Sequence, residues 1–179
     1  MKQLVILALA LFVGACSPHS DSTDARKEIT AAQKSAALAF IEKGARLQTL
    51  TSQGVNPANF SSELATIIAS WDVLRNTAWP DELSEERELL DQAVAGWKLT
   101  QHVWNAKIER LGADEFKDST YNDLLLQIGR YYYTRDKDLY EALSSGIEKD
   151  ELIPLSMSAA SRIFEDAKQR VYARMKNEG

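Results

Sequence analysis

The chain has 179 residues, with 21 Lys and Arg against 26 Asp and Glu, which gives a formal net charge of −5 at pH 7. An acidic chain offers no broad basic face for phosphates, so the composition argues against a general nucleic-acid binder and against charge-driven adhesion to anionic lipid. A single cysteine excludes an internal disulfide, and two histidines leave little material for acid–base or metal chemistry.

The first sixteen residues have the layout of a secretory signal peptide. Lys2 gives a short cationic start, residues 4–13 form an unbroken apolar run, and small residues stand directly before Cys16. The apolar run is too short for a helix that spans a bilayer. The sequence therefore predicts a cleaved signal over residues 1–15.

The end of this segment, Val13-Gly14-Ala15-Cys16, resembles the lipobox of bacterial lipoprotein precursors. The resemblance implies that the thiol of Cys16 receives a diacylglycerol, that the signal is cleaved before it, and that the new N-terminus is acylated. About three acyl chains would hold the domain at a membrane without spanning it. The alternative, an ordinary cleavable signal with an incidental cysteine, stays open.

The same resemblance suggests a location. In Gram-negative lipoproteins an Asp after the modified cysteine commonly retains the protein at the inner membrane, and Ser17 stands there instead. We therefore expect a lipid-anchored protein of the bacterial envelope, at the outer membrane and facing the periplasm. The resemblance covers only these residues and implies nothing about the rest of the chain.

A short polar segment follows the cysteine. Residues 17–23 are small and polar and include Pro18, so residues 16–23 are predicted to be the lipidated cysteine and a flexible tether, and we assign no role to His19 within it. The remaining residues, 24–179, are predicted to form a single domain.

Apolar residues in this domain recur at helical spacing, and no stretch alternates like a strand. The pattern predicts an all-α fold, an antiparallel bundle of about five amphipathic helices. Their predicted ranges are 24–53, 56–79, 82–111, 121–145 and 150–176.

The expected helix ends follow from local signals. Asp24 is the predicted cap of the first helix, Gly54 is its stop, and Pro57 suits the first turn of the second. The third helix has the clearest apolar stripe. Its predicted buried residues are Leu90, Ala93, Val94, Trp97, Trp104, Ile108 and Leu111.

The fourth helix leaves two possibilities. Its apolar phase continues from Tyr121 through Leu143, with Ser119 or Thr120 as the expected cap, so we favour one long helix. The alternative is two helices with a break near residues 134–135.

The chain lacks the residue patterns of common enzyme and cofactor sites. No Glu stands three residues before either histidine, as a di-iron bundle requires, and the spacings for zinc, covalent haem and phosphate loops are missing. His102 is predicted to lie on the exposed polar side of its helix, which makes a haem ligand improbable. We predict no catalytic residue, no metal, no cofactor and no enzymatic activity.

The most unusual local feature is the run of three tyrosines at 131–133, flanked by Arg130 and Arg135. The first two tyrosines belong to the buried stripe, whereas Tyr133 is predicted to face outward. A structural role for the run is the simpler interpretation, and a recognition patch is the functional one, because Tyr and Arg are enriched at binding hot spots.

Three further residues leave alternatives open. Arg135 falls on a buried stripe and Arg75 lies near the edge of one, so each is expected to pair with a carboxylate across the bundle or to mark a polar pocket. Trp79 is either a lid over the core or an exposed contact. The candidate partner-binding residues are therefore Arg130, Tyr133, Arg135 and Trp79.

The resulting functional prediction is a membrane-anchored periplasmic lipoprotein with a non-enzymatic, protein-binding role. One alternative is an inhibitor or immunity protein, whose acidic stretches at 81–91 and 114–123 would meet a basic toxin or cell-wall hydrolase. Another is a carrier of a small hydrophobic ligand in a cavity lined by Trp97, Trp104 and Tyr132.

Overall fold

The computed structural model describes residues 29–77, 79–145 and 148–177. The predicted signal at 1–15 and tether at 16–23, including the lipidation site Cys16, lie outside the described residues, as does Asp24. Within the described ranges the chain is all-helical, as predicted, and contains no strand.

The helices of the described residues are α1 (Ala31–Ser52), α2 (Pro57–Thr77), α3 (Ser84–Ile108), α4 (Ala113–Phe116), α5 (Ser119–Tyr132), α6 (Lys137–Ser144) and α7 (Lys149–Asn177). Six of them have eight or more residues, and α4 is a single short helical turn. A three-residue 3₁₀ turn, Asp81–Leu83, leads into α3.

The first helix begins later than predicted, because Thr30 rather than Asp24 caps it. Thr30 has extended backbone angles, its hydroxyl accepts the N–H of Gln33 at 3.2 Å, and the Gln33 side chain accepts the Thr30 N–H at 3.1 Å. This reciprocal capping box fixes Ala31 as the first helical residue. The predicted stop is confirmed, since Gly54 follows the helix with a φ of +85°.

The predicted fourth helix is two helices, so the single long helix was the wrong choice. Asp118, not Ser119 or Thr120, caps α5 by accepting the N–H of Tyr121 at 2.9 Å. Asp136 caps α6 by accepting the N–H of Leu139 at 3.1 Å. The chain turns between these helices at residues 133–136, close to the break that the alternative placed at 134–135.

The four longest helices pack as antiparallel neighbours. Lys43 on α1 donates to Ser70 on α2 at 2.6 Å, and the Arg46–Glu63 ion pair is one turn further along the same contact. The α3–α7 pair is the most extensive; α5 contacts both helices of this pair, and α6 contacts α5 and α7. This arrangement is a helical bundle.

The central helix, α3, is buried on nearly every side, because α2, α5 and α7 all contact it. Residues 92–97 are buried without interruption, which a one-sided stripe does not predict. Leu99 and Val103 are also buried, whereas the predicted core residue Ile108 is 61% exposed. Among the described helices, none is long and apolar enough to cross a membrane.

Candidate functional site

Three exposed side chains form a line along α5, and we name Leu126, Arg130 and Tyr133 the α5 stripe. Spacings of four and three residues place them on one helix face. Leu126 is 62% exposed and Tyr133 is 67% exposed, which confirms the prediction that Tyr133 faces outward. Tyr133 directly follows the last residue of α5 and keeps helical backbone angles, so it stays on the same face as Leu126 and Arg130.

The α5 stripe borders an apolar hollow of about 360 Å³ between α5 and α6. Gly129 makes this arrangement possible: a Cβ there would lie 2.5 Å from the Tyr140 ring, so only glycine lets that ring rest on α5. We call this feature the tyrosine hollow. It is lined by Leu126, Gly129, Arg130, Tyr133, Thr134 and Tyr140.

On the other side of Arg130 lies a polar cleft of about 580 Å³, formed by the end of α2, the first turns of α3, and α5. We call it the arginine cleft, because Arg75, Arg87 and Arg130 line it. Three carboxylates, from Glu85, Glu88 and Asp91, also contribute to its wall. Arg130 lines both features, so the cleft and the hollow are contiguous.

Part of this charge is already neutralised within the protein. Asp91 accepts hydrogen bonds from the indole N–H of Trp71 at 2.7 Å and from Arg75 at 2.9 Å. Arg75 on α2 thereby pairs with a carboxylate on α3, as expected. Within the described ranges, Arg87 and Arg130 have no ion pair.

Gln92 adds a buried polar group to the wall of the arginine cleft. Its side chain is on the buried face of α3, and the residue is only 7% exposed. The amide nitrogen lies 3.4 Å from Glu88, a long contact, and the buried oxygen Oε1 has no hydrogen-bond partner among the described residues. This amide oxygen is enclosed by the protein and does not open into the cleft.

The other two tyrosines of the run are structural. Tyr132 is buried and its hydroxyl donates to the Ala159 carbonyl of α7 at 2.8 Å; burial raises the pKa of this phenol. Burial, and then the Asp166 carboxylate, raise the pKa of Tyr131. The Arg135 guanidinium lies over the Tyr131 ring, 4.4 Å from its centre.

Arg135 and Trp79 do not join the site. Arg135 is exposed rather than on a buried stripe, because α5 ends at Tyr132 and the helical phase is lost. Trp79 is buried, donates its indole N–H to the Leu83 carbonyl at 2.7 Å, and packs edge-on against Trp71. Of the two interpretations of Trp79, the lid is the one the structure shows.

His102 is half-buried, so the prediction of an exposed histidine is wrong. The segment that contains α4 folds over α3 and brings the Phe116 carbonyl to 2.7 Å from His102 Nε2. The Asp118 carboxylate lies 3.5 Å from the same nitrogen. No group of three or more His, Cys, Asp or Glu side chains able to hold a metal ion occurs in the described part of the chain.

The three aromatic residues suggested for a ligand cavity contribute to the core. Trp97 is fully buried against Phe164, with ring centres 5.2 Å apart, and Trp104 packs on Phe60 at 5.3 Å. None of these three residues, Trp97, Trp104 and Tyr132, lines the arginine cleft or the tyrosine hollow.

Comparison with known proteins supplies no family for this arrangement. No family model matches the chain, and no curated protein or solved structure matches it. The residues and the geometry of the site are therefore the basis for the function proposed below.

Proposed function

We propose that the chain is a membrane-anchored lipoprotein of the bacterial envelope, facing the periplasm, whose helical domain binds a protein partner through the α5 stripe. The lipobox at residues 13–16 supports the anchor, and Ser17 supports the outer membrane as its location. The exposure of Leu126 and Tyr133 on either side of Arg130 is the observation that carries the binding role.

The chemistry of the stripe suits protein recognition. Large apolar side chains that are about two-thirds exposed gain free energy when a partner removes them from water, and Tyr and Arg supply much of the energy of known interfaces. The opposite face of α5 is fixed in the core by Tyr121, Ile128 and Tyr132. The backbone of the stripe therefore loses little conformational entropy on binding.

The binding role can be tested by placing a photo-crosslinking amino acid at Tyr133 in the complete chain in growing cells. We expect a discrete crosslinked product with an envelope protein. The matched control is the same substitution at Ile108, which is similarly exposed at 61% but lies at the far end of α3 from the arginine cleft. Equal products from both positions, or none from position 133, would contradict a specific surface.

The anchor can be tested separately with Cys16→Ser. The variant should lose incorporation of labelled palmitate, keep its signal peptide, and leave the membrane fraction that the parent chain occupies. Ser17→Ala, beside it, is the control and should be lipidated normally. Palmitate incorporation that persists in Cys16→Ser would refute the lipobox interpretation.

A further inference from the structure

We propose that the partner inserts a peptide segment in which an acidic side chain is close to an apolar one. The acidic group would bind Arg87 and Arg130 in the arginine cleft, and the apolar side chain would enter the tyrosine hollow. This inference rests on the proposed function and specifies the chemistry of the partner.

The contiguity of the two features is the first argument. Arg130 lines the polar cleft on one side and the apolar hollow on the other. A carboxylate held by its guanidinium therefore has an apolar cavity beside it, within reach of a neighbouring side chain of the same segment. Bidentate Arg–carboxylate pairs also fix the orientation of the bound group.

The distribution of charge is the second argument. Asp91 is satisfied by Arg75 and Trp71, and the Glu85 carboxylate lies 4.0 Å from Arg170 of α7. Glu88 is the carboxylate next to the Gln92 amide. Within the described part of the cleft, Glu88 is the one carboxylate without an ion pair, whereas two arginines have none, Arg87 on α3 and Arg130 on α5. Positive charge is therefore in excess. An anionic occupant is the complement of this pair.

The tyrosine hollow distinguishes a peptide from a simple anion. A simple anion could bind the arginines but would leave the apolar hollow beside Arg130 empty, whereas a peptide segment carries acidic and apolar side chains together. The occupant that suits both features is therefore a peptide.

The experiment is a selection of random linear peptides, displayed on phage, against the complete chain in detergent. We expect enriched peptides to contain Asp or Glu within a few residues of Leu, Ile, Phe or Met. A synthetic copy of an enriched peptide should bind Arg130→Ala about tenfold more weakly. Arg46→Ala, which removes an exposed arginine from α1, is the control and should bind normally.

A second variant guards against a folding artefact. Arg87→Ala removes a second, exposed arginine of the cleft, so the domain should stay folded while peptide binding falls several-fold. Leu126→Ala should weaken the apolar preference of the selected peptides and leave the acidic preference intact.

The outcomes separate this inference from the proposed function. Absence of enrichment, enrichment of basic peptides, or binding indifferent to Arg87→Ala and Arg130→Ala would each overturn it. If Tyr133 still crosslinks to a partner in cells, the binding role stands and the partner uses a folded surface instead. Loss of the specific crosslink removes the proposed function itself.

Discussion

The contact of α3 with α7 and the contact of α5 with α6 both depend on a glycine, but in different ways. A Cβ on Gly96 would lie 2.8 Å from the Cβ and 3.0 Å from the Cα of Ala160, so α3 and α7 meet at their backbones. On α5, the space beside Gly129 is filled by the tip of the Tyr140 ring. The first contact is rigid, and the second is closed by a side chain that can move.

The two regions also differ in how they treat polar groups. Between α3 and α7, the hydroxyls of Thr100 and Ser156 are fully buried and pair with each other at 2.9 Å. Around α5 and α6, the polar groups of Arg130 and Tyr133 are left in solvent. We call α5, α6 and the turn between them the α5–α6 corner. The comparison indicates that α3 and α7 determine the fold, whereas the α5–α6 corner presents a surface.

The largest effect is expected from Gly96→Leu, which forces α3 and α7 apart where neither backbone can yield. The free energy of unfolding should fall by about 3 kcal/mol or more, measured by urea denaturation. Gly112→Ala is the control, because a Cβ there meets only the mobile end of Glu115 at 3.3 Å. Equal stability of the two variants would contradict the close helix contact.

The next largest effect is expected at alkaline pH, which should destabilise the contact between α5 and α6. The Tyr121 hydroxyl donates to the Leu143 carbonyl of α6 at 2.5 Å, and burial raises its pKa from 10.0 to about 12. The folded state favours the neutral phenol, so this stabilisation is complete below pH 10 and is lost as the pH rises towards 12. The rise in pKa corresponds to a loss of about 3 kcal/mol of unfolding free energy across this pH range.

Urea midpoints measured from pH 9 upward would check this dependence. Tyr121→Phe should reduce the alkaline loss of stability, because it removes the ionising group, whereas Tyr133→Phe should leave the loss unchanged. A decline of the same size in Tyr121→Phe would show that other groups are responsible.

The long helices could be predicted from the sequence because their apolar spacing and end signals agree. The start of α1 was misplaced although its signal, Thr30 followed three residues later by Gln33, is visible. The α5–α6 break was harder to predict: Leu139 and Leu143 keep the phase of the preceding helix, and no glycine or proline marks the turn. Asp136, which caps α6 and pairs with Arg162 of α7 at 3.0 Å, is the residue that could have signalled it.

The candidate site could be predicted only in part. Tyr133 and Arg130 follow from helical geometry, but Leu126 was missed although the consecutive leucines 124–126 cannot all face one core. Arg87 could not be found, because its role depends on α5 lying beside the first turns of α3. His102 illustrates the same limit, since a segment fourteen residues later covers it.

Two neighbouring tyrosines allow a paired test, with a smaller expected effect, of whether exposed groups near α6 contribute less to stability than buried ones. Tyr132→Phe removes the buried hydrogen bond to the Ala159 carbonyl and should cost about 1 kcal/mol of unfolding free energy. Tyr133→Phe removes an exposed hydroxyl and should cost almost nothing. Equal losses in urea denaturation would mean that the corner is packed as tightly as the core.

The smallest effects on the free energy of unfolding are expected in the α5 stripe, because the proposed function assigns its side chains to binding and not to folding. Leu126→Ala and Tyr133→Ala remove side chains that are 62% and 67% exposed, so each should change the free energy of unfolding by less than about 0.5 kcal/mol. The matched substitution Leu125→Ala, one residue away but 7% exposed, should cost about 2 kcal/mol or more. A large loss in Leu126→Ala would mean that this side chain is needed for folding. Near-neutral values would show that both side chains can contact a partner without being needed for the fold.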